Sequence, residues 1–211
     1  MQIGIFFCSY IMEIKIAIQG IQGSFHHQVA HRYFGGAIGL DECVTFRDIA
    51  NSLKNNQSDK AIMAIENSIA GAILPNYALI DSYDLHIIGE HFLDIHMNLM
   101  VLPGQTIVDI KEVHSHPIAL LQCANFFSQY PHIKLVESSD TAITAKRIQE
   151  NQLKGIGALA GPVASEIYNL EIIADGIHTV KSNKTRFVVL KASNKEIPKE
   201  LINKASIKFE L

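Results

Sequence analysis

Ile14, Ile16 and Ile18 alternate with Lys15, Ala17 and Gln19, the period of a β-strand with one face buried. Gly20-Ile21-Gln22-Gly23 breaks the alternation, and Ser24 is placed to cap a helix running from Phe25 to about Tyr33. The same grammar recurs. A short strand around Glu42 to Thr45 precedes a helix from Phe46 to Lys54, and an apolar strand from Ala61 to Ile65 ends in Glu66-Asn67-Ser68. Leu85 to Ile88 and Leu93 to Leu102 read as strands, the second stopped by Pro103-Gly104. Ser115-His116-Pro117 opens a helix to about Tyr130, because proline is tolerated in a helix's first turn. Strands follow at Ile133 to Val136, Gly155 to Leu159 and Leu170 to Ala174, with a helix from Ser139 or Asp140 to Ile148 and a short one opened by Gly161-Pro162. His178 to Val180 and Phe187 to Leu190 close the series as strand-like runs.

So many βα alternations imply an α/β fold with mainly parallel sheets. The units fall into two clusters, which predicts two lobes: residues 12–84 plus 178–195, and residues 85–177. A cleft between such lobes gathers the carboxyl ends of strands and the starts of helices, whose unpaired N–H groups suit anions, so it is the expected ligand site. Residues 196–211 read as a linker and the cut start of a further module. The first eleven residues read as an alternative start or an added remnant and are given no function.

Composition narrows the function classes. The chain has 211 residues, 48% hydrophobic, which supplies a proper core. A formal net charge of -3 gives no basic field for nucleic acid, so an anionic ligand has to be met by local donors. The apolar run at residues 3–12 is too short to span a bilayer and lacks a signal peptide's basic flank. No membrane anchoring is expected. Cys8, Cys43 and Cys123 are an odd number without repeat spacing, which points to a reducing, cytoplasmic setting. The ten histidines include no HExxH, and His86, His91 and His96 share neither a strand nor a helix face, so no metal site is expected. No Gly-x-Ser-x-Gly elbow is present for a serine hydrolase.

Five constellations hold residues able to do chemistry. Gly20 to Ser24 is a glycine turn at a helix start. Glu66-Asn67-Ser68 sits at a strand end, where catalytic groups gather in parallel sheets, although capping also explains an Asn-Ser pair. Ser115 lies at a helix mouth with Gln122 about two turns along nearly the same face. Glu137-Ser138-Ser139-Asp140 runs from a strand end into a helix start. Thr185-Arg186-Phe187 joins a hydroxyl to a guanidinium able to grip a carboxylate with two prongs.

Together these segments, with Gly155-Ile-Gly-Ala-Leu-Ala160 and Asn183-Lys-Thr-Arg-Phe187, resemble the prephenate dehydratase family over residues 13 to 191. One departure is Ile21, where the family usually has proline. The resemblance implies a two-lobed, periplasmic-binding-protein-like arrangement with the active site between lobes. It also implies a following ACT domain that binds phenylalanine, whose opening strand Lys204 to Leu211 looks like, so that phenylalanine is an effector only where that domain is present. The implied reaction converts prephenate to phenylpyruvate, water and carbon dioxide without a cofactor, in a homodimer or homotetramer. By resemblance Thr185, Glu66, Asn67 and Gln122 are catalytic. Arg186, Ser115, Phe187, Ser68, Glu137, Ser138, Gly23 and Ser24 bind substrate, Arg186 as the carboxylate clamp. A carboxylate beside a dianion is repelled, so Glu66 is either turned away in a structural bond or, the sharper expectation, held protonated by burial and by negative neighbours. An arogenate dehydratase and a non-catalytic two-lobed metabolite sensor are the alternatives.

Overall fold

The computed structural model describes residues 14–193, Lys204 and Ile207. The readings on residues 1–11 and, apart from Lys204 and Ile207, on the linker and further module at 196–211 lie outside the described residues. The alternating isoleucines form β1 (Ile14–Gln19), and Ser24 Oγ accepts from His27 N to cap α1 (Phe25–Phe34). Thr45 and Asp48 form a reciprocal capping box on α2 (Phe46–Lys54), which follows β2 (Ile38–Cys43). Next come β3 (Lys60–Asn67), β4 (Gly71–Ala72), α3 (Leu74–Ser82) and β5 (His86–Asp94).

The second half holds β6 (Asn98–Val101), β7 (Glu112–Ser115), α4 (Pro117–Gln122), α5 (Ala124–Phe127) and β8 (Lys134–Glu137). It continues through α6 (Thr141–Glu150), β9 (Ile156–Ala160), α7 (Pro162–Ile167) and β10 (Glu171–Ala174), before β11 (Lys184–Lys191). The helix expected from Pro117 to about Tyr130 is two short ones that meet at Cys123.

Two sheets result, ordered β2-β1-β3-β11-β5, with β4 on β3, and β10-β6-β9-β7-β8. They are mixed rather than mainly parallel. The parallel strands are β2-β1-β3 in one sheet and β9-β7-β8 in the other; β11 runs antiparallel to both β3 and β5, and β6 antiparallel to β9 and β10. Parallel neighbours need a crossover over the same sheet. Strands that carry the chain between lobes, β5 and β6 outward and β11 on return, have no such crossover and pair the other way.

The pairing also moves the division of the chain. β5, expected in the second lobe, is hydrogen-bonded along its length to β11 in the first sheet. The run expected as one strand from Leu93 to Leu102 is the end of β5, a break and then β6. The first lobe therefore reaches Asp94 and the second begins near Asn98. His178 to Val180 forms no strand; it belongs to the return crossover.

The two crossovers lie side by side: Ile177 N donates to Met97 O at 2.8 Å, and Ile95 N to Asn183 O at 2.8 Å. One apolar cluster runs through both lobes, from Ile16, Ile62 and Phe187 to Leu99, Val113 and Leu159. A second packs Ile49, Leu53 and Leu85 on the outer face of the first sheet, and a third packs Ala145, Ile148 and Leu170 on the second.

Candidate active site

Thr185 pairs with Asn67 across the β11–β3 ladder, just where β11 leaves the return crossover. The carboxamide of Asn67 is fixed by its backbone neighbours. Its Oδ1 accepts from Ile69 N at 2.9 Å and Ala70 N at 3.0 Å, closing the turn into β4. The amide nitrogen must then point the other way, where it donates to Asn183 Oδ1 at 2.8 Å and Thr185 Oγ1 at 2.9 Å. Asn183 Nδ2 donates in turn to Gln122 Oε1 at 3.1 Å, and Thr179 N holds the main-chain carbonyl of Gln122 at 2.8 Å.

The direction of this relay has a chemical consequence. Every acceptor in it is filled from the Asn67 end, so Thr185 Oγ1 receives a hydrogen bond and keeps its own proton to give. Gln122 accepts through oxygen and keeps both amide N–H groups. Two neutral donors, one on each lobe, are thereby prepared for an oxygen of a bound molecule. Asn183 is 1% exposed and Thr185 8%. Asn183 joins the lobes through this relay but was absent from the expected site residues. Its signal was present: with Thr185 two positions on, strand alternation puts both on one face.

Arg186 and Glu66 are corrected by the same alternation. They face each other one position along the ladder, on the opposite side of the sheet from Thr185 and Asn67. Arg186 Nε and Nη2 both bond Glu90 Oε2, at 2.9 and 2.8 Å, and Nη1 lies 3.8 Å from Glu66 Oε2. The guanidinium is not presented to the cleft as a carboxylate clamp. The Glu66 side chain is 50% exposed, so the burial expected to hold it protonated is not there; it is turned away.

The remaining expected residues are placed as follows. Phe187 is 2% exposed, its ring edge-on to His26 at 5.0 Å between centroids; it is core, not a substrate contact. Ser115 is fully buried and its hydroxyl donates to Leu159 O at 2.8 Å, tying β7 to β9 rather than facing a ligand. Ser68 bonds Ser182 O and Lys184 N, which stitches the turn after β3 to the start of β11. Glu137 is exposed opposite Ser115, and Ser138 N donates to Ser115 O. Among the described residues the relay does not extend to Ser115, Glu137 or Ser138.

Gly23 lies at the seam between lobes, while Ser24 is buried as the cap of α1. Gly23 has φ 88°, and a Cβ there would lie 3.1 Å from the Tyr168 ring and 3.2 Å from Ala164 Cα. Its N–H is spent on His27 Nδ1 at 3.0 Å. Tyr168 Oη donates to Gln22 O at 2.6 Å, bonding α7's end in the second lobe to the loop of the first. The glycine turn thus packs against protein where it was expected to cradle substrate. Asp140 caps α6 through Ala142 N and Ile143 N, and burial raises its carboxyl above the usual range.

Among the described residues, no cluster of three or more His, Cys, Asp or Glu side chains is arranged to hold a metal ion, and no helix is long and apolar enough to cross a membrane. A shallow groove of about 370 Å³, lined by Phe126, Ile177, His178 and Lys181, lies beside the return crossover and includes none of the relay residues. The relay, by contrast, brings side chains of both lobes together by hydrogen bonds.

A two-lobed, two-sheet α/β protein with a neutral donor pair at its crossovers is the class this geometry defines. Comparison with known proteins gives the family. The family model for prephenate dehydratase matches residues 16–195, and the chain belongs to that family. It is 32% identical over 209 residues, 96% of this chain and 54% of the relative, to a bifunctional chorismate mutase/prephenate dehydratase of Buchnera aphidicola. It is 35% identical over 177 residues, 84% of this chain and 44% of the relative, to arogenate dehydratase 2 of Petunia hybrida. The chain thus spans about half the length of these curated relatives.

Among solved structures, prephenate dehydratase from Arthrobacter aurescens in complex with L-Phe aligns with TM-score 0.76 at 24% identity, covering 84% of this chain and 60% of that one. A structure described as GqqA, a novel type of quorum-quenching acylase, aligns with TM-score 0.77 at 29% identity, covering 87% and 66%.

Proposed function

We propose that this chain catalyses the decarboxylating dehydration of prephenate to phenylpyruvate, a lyase step towards phenylalanine. The observation that carries the reading is the orientation of Asn67, which fills the Thr185 oxygen and leaves its proton free to meet a departing oxygen. Prephenate loses its ring carboxylate as carbon dioxide. The electron pair of that carbon–carbon bond moves into the ring, and the hydroxyl leaves from the far side with one proton from solvent to become water. Aromatisation supplies much of the driving force.

Thr185 donates a hydrogen bond that strengthens as negative charge grows on the leaving oxygen, which lowers the barrier without requiring so weak an acid to ionise. Gln122, on the second lobe, donates to a carboxylate oxygen and sets the substrate's angle. The outward turn of Glu66 suits this role, because it keeps a carboxylate off the face a dianion would occupy.

Arogenate differs from prephenate by an amine in place of the side-chain keto group, and relatives named for each substrate match this chain at similar identity. The test is incubation of purified protein with prephenate and, separately, arogenate, following phenylpyruvate and phenylalanine. Phenylpyruvate formation is expected; turnover of neither substrate overturns the reading. Free, buried Cys43 and Cys123 accord with a cytoplasmic setting. A homodimer or homotetramer, with phenylalanine as effector through a following domain, completes the proposal. The relative solved with L-Phe supports the effector.

A further inference from the structure

Arg186 is neighbour in sequence to the proposed donor, yet it points away from the cleft. Its guanidinium ties three strands together on the outer face: its own, β5 through Glu90 and β3 through Glu66. The Phe92 ring lies 5.8 Å from the guanidinium carbon, and Lys204 Nζ bonds the other oxygen of Glu90, so the carboxylate is held from two sides. Glu90 is half-buried, with a side chain 19% exposed.

The register shows why a fastening is needed at this point. Thr185 pairs with Asn67 and Arg186 with Glu66, but Phe187 pairs with Ala64, so Ile65 has no partner and the ladder shifts directly after Arg186. A bulge of this kind loosens local pairing and re-aims the side chains beside it. On its β3 side the ladder alone therefore holds Thr185 loosely, whereas β11 keeps unbroken register with β5 from Lys184 to Val189, and the Arg186–Glu90 pair fastens it to that regular side; a donor to a departing oxygen has to be held to a fraction of an ångström.

We propose that Arg186, locked by Glu90, is a positioning residue that fixes the Thr185 hydroxyl from the far side of the sheet. This rests on the reading of Thr185 as the donor. Arg186 then contributes to turnover rather than to substrate affinity, and Glu90 contributes equally, although neither faces the cleft.

The experiment is steady-state kinetics on Arg186→Met, Glu90→Gln, their double variant and Arg186→Lys, together with NMR of methyl-labelled threonine. Each single change is expected to lower kcat ~10-fold with KM for prephenate nearly unchanged. The double variant falls no further, because both changes release the same fastening. Arg186→Lys recovers part of the loss, and the Thr185 methyl resonance moves in Glu90→Gln without any substrate present.

A large rise in KM for Arg186→Met with Glu90→Gln unaffected assigns Arg186 to the substrate and overturns the proposal. So does a fall in melting temperature with kcat and the Thr185 resonance unchanged, which marks a merely structural pair. If the wild type turns over neither prephenate nor arogenate, it is the functional reading that fails, and a stationary Thr185 resonance in Glu90→Gln separately refutes the fastening.

Discussion

The two faces of the first sheet, where β3 and β11 meet, carry alternating residues of the same two segments and, together with the neighbours these residues reach, are chemically opposite. On the cleft face Asn67, Asn183, Thr185 and Gln122 are joined by neutral hydrogen bonds and carry no charge. On the outer face Glu66, Glu90, Arg186 and Lys204 form a charged cluster at the same height. Neutral groups can be aimed at a doubly charged substrate without a carboxylate repelling it or an ammonium being neutralised by it, and they need little desolvation when water leaves. Charged groups tolerate partial exposure and hold strands firmly when paired with two prongs. One strand thus separates neutral from charged groups by the two-residue period alone.

The sharpest way to break the comparison is to remove the hydroxyl. Thr185→Ala is expected to lower kcat by about 10²- to 10³-fold with little change in KM, the range for one positioned hydrogen-bond donor to developing negative charge, and Thr185→Ser to keep most of the activity. Steady-state kinetics with prephenate checks both. A Thr185→Ala variant that loses only affinity would make Thr185 a binding residue.

Next in size is Asn67→Asp, which keeps an oxygen for Ile69 N and Ala70 N but replaces the donating nitrogen with an acceptor. Thr185 must then turn its proton onto the new carboxylate, and the cleft face gains a negative charge. Turnover should fall by roughly 10- to 100-fold, as for about 1–3 kcal/mol of a buried polar group left mismatched, and KM should rise. Circular dichroism separates this from unfolding. Near-normal kcat in that variant would show that the relay's direction does not matter.

Much of this was legible in the sequence. The strand at Ile14 to Gln19, the capped helices at Phe25 and Phe46 and the family motifs all follow from local periodicity and local side-chain chemistry. β7, whose four residues are too short to show a period, and α3, whose apolar residues keep to no one face, were not legible. Nor was the membership of β5 in the first sheet, which is set by the returning strand nearly a hundred residues later. At the site, adjacency in Thr185-Arg186 suggested a shared target, whereas alternation within a strand separates them. Pro117 fixed the start of α4 and hence the place of Gln122, but nothing local told that Ser115 spends its proton on Leu159 O. Side-chain direction depended on the neighbouring strand, and that is a long-range fact.

The smallest expected effect uses pH to set the two faces apart. Behind Phe187, on the cleft side of the sheet, burial lowers His26 to about 3, and burial with the nearby His31 lowers His27 to about 4. Both are neutral in the fold, while their unfolded forms take up protons below about 6.5. Their contribution is therefore complete above 6.5 and is lost as pH falls towards 4, at about 1.4 kcal/mol per pH unit for each. On the outer face Glu90 is lowered below the usual carboxylate range by Lys204, with Arg186 adding to it. Its contribution is present above about 4.5 and lost only as pH falls through its lower folded value. Urea denaturation between pH 7 and 5 should show a loss of stability that His26→Gln reduces and Glu90→Gln leaves in place. An equal slope in His26→Gln and wild type would mean that the cleft side is not kept uncharged by burial.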